Sequence, residues 1–392
     1  MNRAIPGTRE MLSALIGSPS ISCTDRRFDQ SNLGVIHMLA EWLERIGFSI
    51  DIEPVSADKT NLIAVLGGLH NAQGLVLSGH TDTVPYDQAQ WTVDPFRITE
   101  KDDRFYGLGT ADMKAFFALV IEAAKHFRAK DLKHPLVVLA TADEESTMSG
   151  AKALVRSGTK LGRYAVIGEP TGLRPVRMHK GIMMESIRVK GHAGHSSNPS
   201  LGANAVEGMM SVLTELLVWR GELQAKYRDP LFEVDVPTLN IGSIHGGDNP
   251  NRICAHCESQ IDIRPLPGMN LEELRQSLNH RLQPVLAGNP RLSLEISPLF
   301  EGLPAFETPA EASIVRTCED LCGTRAGAVA FGTEAPYLSQ LGIQTVVLGP
   351  GSIDQAHQPD EYLPISHVKP TVDMLKKLIE HFCITHREGW ST

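Results

Sequence analysis

Thiols are scarce in this sequence: six cysteines in 392 residues, at positions 23, 254, 257, 318, 322 and 383. That spacing is too sparse for the disulfide framework with which small secreted domains supplement a thin core, so reduced thiols are expected. Basic charge is also short. Lysine and arginine total 37 against 46 acidic residues, a formal net charge of −9, which argues against a nucleic-acid partner and against a broad anionic-membrane surface. Long apolar runs are absent as well. The stretch MNRAIPGTREMLSALIGSPS is interrupted by Pro6 and Glu10, so neither a secretory core nor a spanning helix can be drawn there, and a cytoplasmic protein is expected. Repeats and low-complexity segments are missing, which removes solenoids and compositional linkers from consideration.

What is present describes an ordinary globular protein, with 42% hydrophobic and 21% charged residues. The length favours two or three domains of roughly 150 residues. Helical periodicity covers 8–17 and 29–47, where Leu33, Ile36, Leu39, Leu43 and Ile46 share a face behind an opening near Asp29 or Ser31. Strand patterns follow at 61–67 and 75–80, then a helix at 113–127 and strands at 136–140 and 164–170. At about residue 186 the pattern changes to a strand, a glycine- and histidine-rich loop, a long helix near 203–227, strands at 237–244 and 252–264, and a helix at 270–286. This reads as a smaller inserted domain, 186–297, within an α/β layer formed by 1–185 and 298–392. The later layer carries a helix at 309–322, a strand at 343–348 and a final helix at 367–386. Cys254 and Cys257 form a C-x-x-C pair, but three residues apart on an extended strand they face opposite sides, and no second pair completes a thiolate site. Both are expected to be structural.

The chemistry gathers where strands end and helices begin. In LVLSGHTDTVP, His80 and Asp82 close an apolar strand. The carboxylate at that spacing can accept one ring proton and leave the other nitrogen for a metal, although a strand followed by a polar turn would read the same way. Asp112 follows Gly107 and Gly109 at the start of a helix, where it is either a first-turn acid or a ligand. Asp143, Glu144 and Glu145 end another strand, and Glu169 ends a third just before Pro170. Repelling carboxylates at strand ends are costly unless a cation or shared proton compensates them. With His357 in the turn GPGSIDQAHQPDEY, the set offers the nitrogen and oxygen donors that zinc, cobalt or manganese accept.

Together SGHTDTVP, GLGTADMKA, ATADEES, GEP, GHAGHSS and AHQPDEY resemble the M20 family of co-catalytic metallopeptidases and deacylases, over about residues 10–386. The resemblance implies a catalytic domain with a mixed central sheet flanked by helices, and an inserted α+β, ferredoxin-like domain through which a homodimer forms. It implies two divalent ions, zinc first with cobalt or manganese as alternatives. His80 and Glu169 would hold one ion, Glu145 and His357 the other, and Asp112 would bridge them. Asp82 would orient His80, a non-proline cis peptide would follow Asp112, and Glu144 would be the general base toward a metal-bridging hydroxide. His195 would stabilise the oxyanion from the partner subunit, and Asn251 and Arg264 would bind the substrate's α-carboxylate. GTEAP, HGGDNPNRICA and GPGSIDQAHQPDEY are most similar to the branch that releases acetate from N2-acetyl-L-ornithine in arginine biosynthesis. The small-molecule alternatives within the same chemistry are N-succinyl-diaminopimelate and other N-acyl amino acids. Glu334 or Asp354 would suit an ornithine ammonium electrostatically.

Overall fold

Every residue of the Leu75–His80 strand is buried, as expected of a strand covered on both faces. In the computed structural model, which describes residues 5–68 and 73–385, this strand pairs in parallel with Leu136–Thr141 on one side and Tyr164–Pro170 on the other. Both neighbours are also buried throughout. Gln344–Gly349 adds to Tyr164–Pro170 in parallel, whereas Thr60–Leu66 and then Ser49–Pro54 add antiparallel beyond Leu136–Thr141. The sheet is therefore mixed, with its parallel strands central. At its last parallel pairing the register shifts between Val347 and Gly349, where a β-carbon on Gly349 would lie 2.1 Å from the Gly168 carbonyl oxygen. Only glycine allows that approach next to Glu169.

Helices cover the sheet with their apolar residues. Leu33–Arg45 turns Val35, Ile36, Leu39 and Leu43 inward, and Ile365–Ile379 contributes Leu375 and Leu378. Lys114–Ala124 is buried at all but one position, because its apolar content runs right round the helix. Such a layered arrangement puts the C-terminal ends of the parallel strands along one edge, which is where open α/β sheets place their sites.

The chain divides into two compact units. The first is Met1–Arg177, Thr308–Gly327 and Thr333–Thr392; the second is Met178–Glu307 and Ala328–Gly332. The second unit follows the order Met183–Lys190, helix Ala205–Lys226, Thr238–Gly246, His256–Arg264, helix Leu271–Leu282 and Ser293–Pro298. Its sheet is wholly antiparallel, with Met183–Lys190 between His256–Arg264 and Ser293–Pro298, and Thr238–Gly246 at an edge. This is the βαββαβ pattern of ferredoxin-like folds. Met209, Val212, Leu216 and Trp219 of the long helix share its core with Ile187, Val189, Ile261 and Ile263. The unit reaches beyond 186–297 at both ends because the incoming and outgoing segments pair with each other, Met178 opposite Glu307 and His179 opposite Phe306.

Local boundaries move for local reasons. The helix expected from 29 begins at Leu33, since Asp25–Phe28 closes a turn and the Ser31 hydroxyl accepts the Leu33 N–H. The strand expected over 252–264 is broken: Arg252–Ile253 pairs with Gly194–His195, while His256–Arg264 joins the four-stranded sheet. Cys257 is buried, Cys254 is half-buried, and all six cysteines are free thiols. The final helix ends at Ile379 and continues as a wider turn, Glu380–Thr385; residue 386 and part of the turn between 66 and 75 lie outside the described residues. Among the described residues no helix is long and apolar enough to cross a membrane.

Candidate metal centre

The sheet edge delivers the first ligand atom. His80 ends its strand with Nε2 3.0 Å from Asp112 Oδ1 and 3.8 Å from Glu169 Oε1. Its Nδ1 lies 3.0 Å from the backbone carbonyl of Asp82 and 3.6 Å from the Asp82 carboxylate. A carbonyl can only accept, so in the neutral ring the proton sits on Nδ1 and Nε2 presents its lone pair to the acid cluster. The main-chain carbonyl of Asp82 is the nearer acceptor for that proton, with the carboxylate of the same residue beside it. The Asp82 carboxylate also accepts the Glu145 N–H at 3.1 Å, which ties the His80 loop to the acid-rich turn.

Asp112 stands between two groups. One oxygen faces His80 and the other lies 3.6 Å from His357 Nε2, which is itself 3.0 Å from Glu145 Oε2. The peptide bond Asp112–Met113 is cis, as the resemblance implies. The preceding backbone is held by Glu361, whose buried carboxylate accepts the N–H groups of Gly109 at 3.1 Å, Ala111 at 2.7 Å and Asp112 at 3.0 Å. Glu361 is a residue that the sequence reading left without a role. The amides it serves lie in the buried stretch from Gly107 to Asp112, where an N–H left without an acceptor would be costly. His357 reaches the cluster from a left-handed backbone, φ 60°, in a half-exposed turn.

The electrostatics are those of too many acids in one place. Burial raises Glu144 and Glu169 well above the usual carboxylate range, and neighbouring Glu145 and Asp112 add to it. Burial also lifts Glu145, Glu334 to about 7, and Glu361 to about 8 against the pull of its N–H donors. Burial opposes charge on His80, but Asp112, Asp82 and Glu169 carry its pKa well above 6.5. The bond to Glu145 takes His357 to about 9. Burial works against the Asp112 carboxylate, yet His80 and His357 keep it below its usual range. Protons held in this way mark places a cation would take. Ligand atoms of His80, Asp112 and Glu145 converge within 4.8 Å of one another, and buried Oδ1 of Asp82 and Oε1 of Glu334 have no hydrogen-bond partner. A nitrogen and oxygen donor set with this surplus of negative charge fits divalent metal ions. Glu334 is 1% exposed and gives its other oxygen to the Thr141 hydroxyl at 2.8 Å, whereas Asp354 lies on an exposed turn.

Three further candidates belong to the second unit. His195 and Asn251 are brought together by the short ladder in which His195 opposes Arg252, and the Asn251 carbonyl accepts the Ser196 N–H at 3.1 Å. The Ser197 N–H donates to His195 Nδ1 at 3.2 Å, so the neutral ring carries its proton on Nε2. Arg264 ends the His256–Arg264 strand with its guanidinium on Asp262 at 3.0 Å.

Comparison with known proteins agrees with this layout. Residues 76–381 match the model of peptidase family M20/M25/M40. A protein of Proteus mirabilis named acetylornithine deacetylase is 48% identical over 390 residues, 99% of this chain and 100% of that one. Among solved structures, aminopeptidase PepT from Bacillus cereus superposes with TM-score 0.74 at 20% identity, covering 95% of this chain and 97% of that one. YXEP of Bacillus subtilis, described as a dinuclear metal-binding peptidase, superposes with TM-score 0.68 at 15% identity over 95% of this chain and 96% of its own.

Proposed function

The chain belongs to peptidase family M20/M25/M40, and from that membership we propose that it hydrolyses the amide bond of N2-acetyl-L-ornithine to L-ornithine and acetate, a step of arginine biosynthesis. The full-length likeness to the Proteus protein supports the substrate. The observation that carries the chemistry is the divergence of the two Asp112 oxygens toward separate histidines, which suits a carboxylate shared by two ions. His80 and Glu169 would hold one ion, Glu145 and His357 the other, with zinc the first choice and cobalt or manganese the alternatives. When bound, the ions supply Lewis-acid polarisation of the acyl carbonyl and acidify water.

The remaining work falls to side chains. Glu144 is adjacent to Glu145 but stays outside the three residues whose ligand atoms converge. Its raised pKa suits a group that takes a proton from water and passes it to the departing amine nitrogen. His195, protonated on Nε2, donates toward the developing oxyanion from a partner copy's small unit, and Asn251 with Arg264 reads the α-carboxylate, a guanidinium fork matching a carboxylate.

A homodimer is part of this proposal. On the Ala205–Lys226 helix, Met210, Leu217 and Val218 are 64%, 44% and 49% exposed, and Ile244 of the edge strand Thr238–Gly246 is 50% exposed. Large apolar side chains gathered on one unit suit an interface. Sedimentation is expected to show a dimer that M210E/L217E converts to monomer; a monomeric parent protein would refute it. A cytoplasmic location is proposed because six free thiols suit a reducing compartment.

The deciding experiment joins elemental analysis to steady-state kinetics on one sample. Two ions per chain are expected, with kcat/KM for N2-acetyl-L-ornithine above that for N-succinyl-diaminopimelate and for acetylated neutral amino acids. A succinyl substrate turned over as well or better would sink the assignment.

A further inference from the structure

The acid-rich turn presents a geometric difficulty. Asp143, Glu144 and Glu145 are consecutive, yet Glu144 and Glu145 must point in different directions if one moves protons and the other holds an ion. Asp143 is the one of the three whose carboxylate is taken up by hydroxyls, those of Ser22 and Thr147. Its backbone is left-handed, φ 64°, a conformation that Asp tolerates better than most residues. Its carbonyl accepts the N–H groups of Thr147 at 3.2 Å and Met148 at 2.7 Å. Each carboxylate oxygen takes one hydroxyl, Oδ1 from Ser22 and Oδ2 from Thr147. The Ser146 hydroxyl in turn donates to Ser22 Oγ at 3.1 Å.

Ser22 lies on a segment that is also bound to the His80 loop. Its N–H donates to the Thr83 carbonyl at 2.9 Å, the Thr83 N–H donates to the Ser20 carbonyl at 3.2 Å, and the Ser20 hydroxyl donates to the Thr81 carbonyl at 2.7 Å. The Glu145 N–H on Asp82 closes the ring. Residues 20–22 thus hold one wall of the site with their backbone and the other with a side chain.

We propose that Ser22, Thr147 and Asp143 form a hydroxyl clamp that positions Glu144 and Glu145 and couples their turn to the loop carrying His80. Ser22 is 2% exposed and Asp143 8%, so the bond between them forms away from competing water, while Thr147 closes the clamp from an exposed position. None of the three touches substrate; they are positioning residues, and the inference rests on the roles given above to Glu144 and Glu145. The acid with the shortest path from its strand is used for geometry, which leaves the next two for chemistry.

Metal titration by calorimetry, kinetics and thermal denaturation of S22A, T147V and T147S test this. Removing a hydroxyl in S22A or T147V is expected to weaken metal affinity roughly 10–100-fold and lower kcat with little change in KM, while the chelated proteins melt near the parent temperature. T147S keeps the hydroxyl and is expected to behave as the parent. Parent-like metal affinity and kcat in T147V overturn the clamp, and so does a loss in T147S equal to that in T147V, since packing would then explain both. The Thr147 pair decides the matter if S22A fails to fold. Metal titration needs no substrate, so its outcome is separate from whether acetylornithine is the compound hydrolysed.

Discussion

Glu144→Gln is expected to lose roughly 10²–10⁴-fold in kcat while keeping two ions per chain, because the amide preserves shape but cannot accept and release a proton. The neighbouring substitution separates the two acids. Glu145 binds His357 through both oxygens, at 3.0 and 3.3 Å, and is among the residues whose ligand atoms converge, so Glu145→Gln is expected to lower metal content as well as rate. Elemental analysis beside steady-state kinetics reads both changes. Full turnover in Glu144→Gln would remove Glu144 from the mechanism, and metal loss in that variant would make it a ligand instead.

The metal-free protein is expected to lose thermal stability as pH rises from 6 to 8. Glu334, Glu361 and His357 have folded-state pKa values of about 7, 8 and 9 against ordinary values of 4.5, 4.5 and 6.5. In this window the folded chain therefore binds more protons than the unfolded chain, and stability must fall with pH. Each excess proton on a buried group is worth about 1.4 kcal/mol per pH unit. Glu334 and Glu361 dominate because both are 1% exposed; His357 contributes less, since water screens it. Lys114, lowered to about 8 from 10.5 by burial, begins to oppose the trend near the top of this window and does so fully only above pH 8. Loading with zinc displaces protons from the cluster, so the loaded protein is expected to show a shallower slope. Calorimetry at pH 6, 7 and 8 with chelator or zinc gives the comparison. A metal-free midpoint that is flat or rises would contradict the reading of the cluster as a proton-filled cation site.

Some of this was legible in the residues and some was not. The strands at 75–80 and 164–170 are readable because a strand buried on both faces must be apolar throughout, and any polar residue at its end stands out. His80 and Glu169 are found by that contrast. Glu361 is not, because it serves backbone N–H groups some 250 positions earlier, and a carboxylate that binds amides leaves no periodic mark. The pairing of Ser22 with Asp143 is invisible for the same reason: a hydroxyl meeting an acid 121 positions away is a product of the fold. The break at Cys254–Ala255 was hidden too, since both halves of that stretch are extended and differ only in which strand each one meets.

The pairing of Met178 with Glu307 and His179 with Phe306 has a consequence for how the chain reaches its fold. Gln344–Gly349 must find Tyr164–Pro170 across a long stretch of intervening sequence. Once that ribbon is zipped, the stretch behaves as a short tether, because the residues between the paired ends no longer count in the loop to be closed. Prior assembly of the smaller unit would thus shorten the search for the sheet's last parallel strand, and with it the delivery of His357, which lies just beyond that strand.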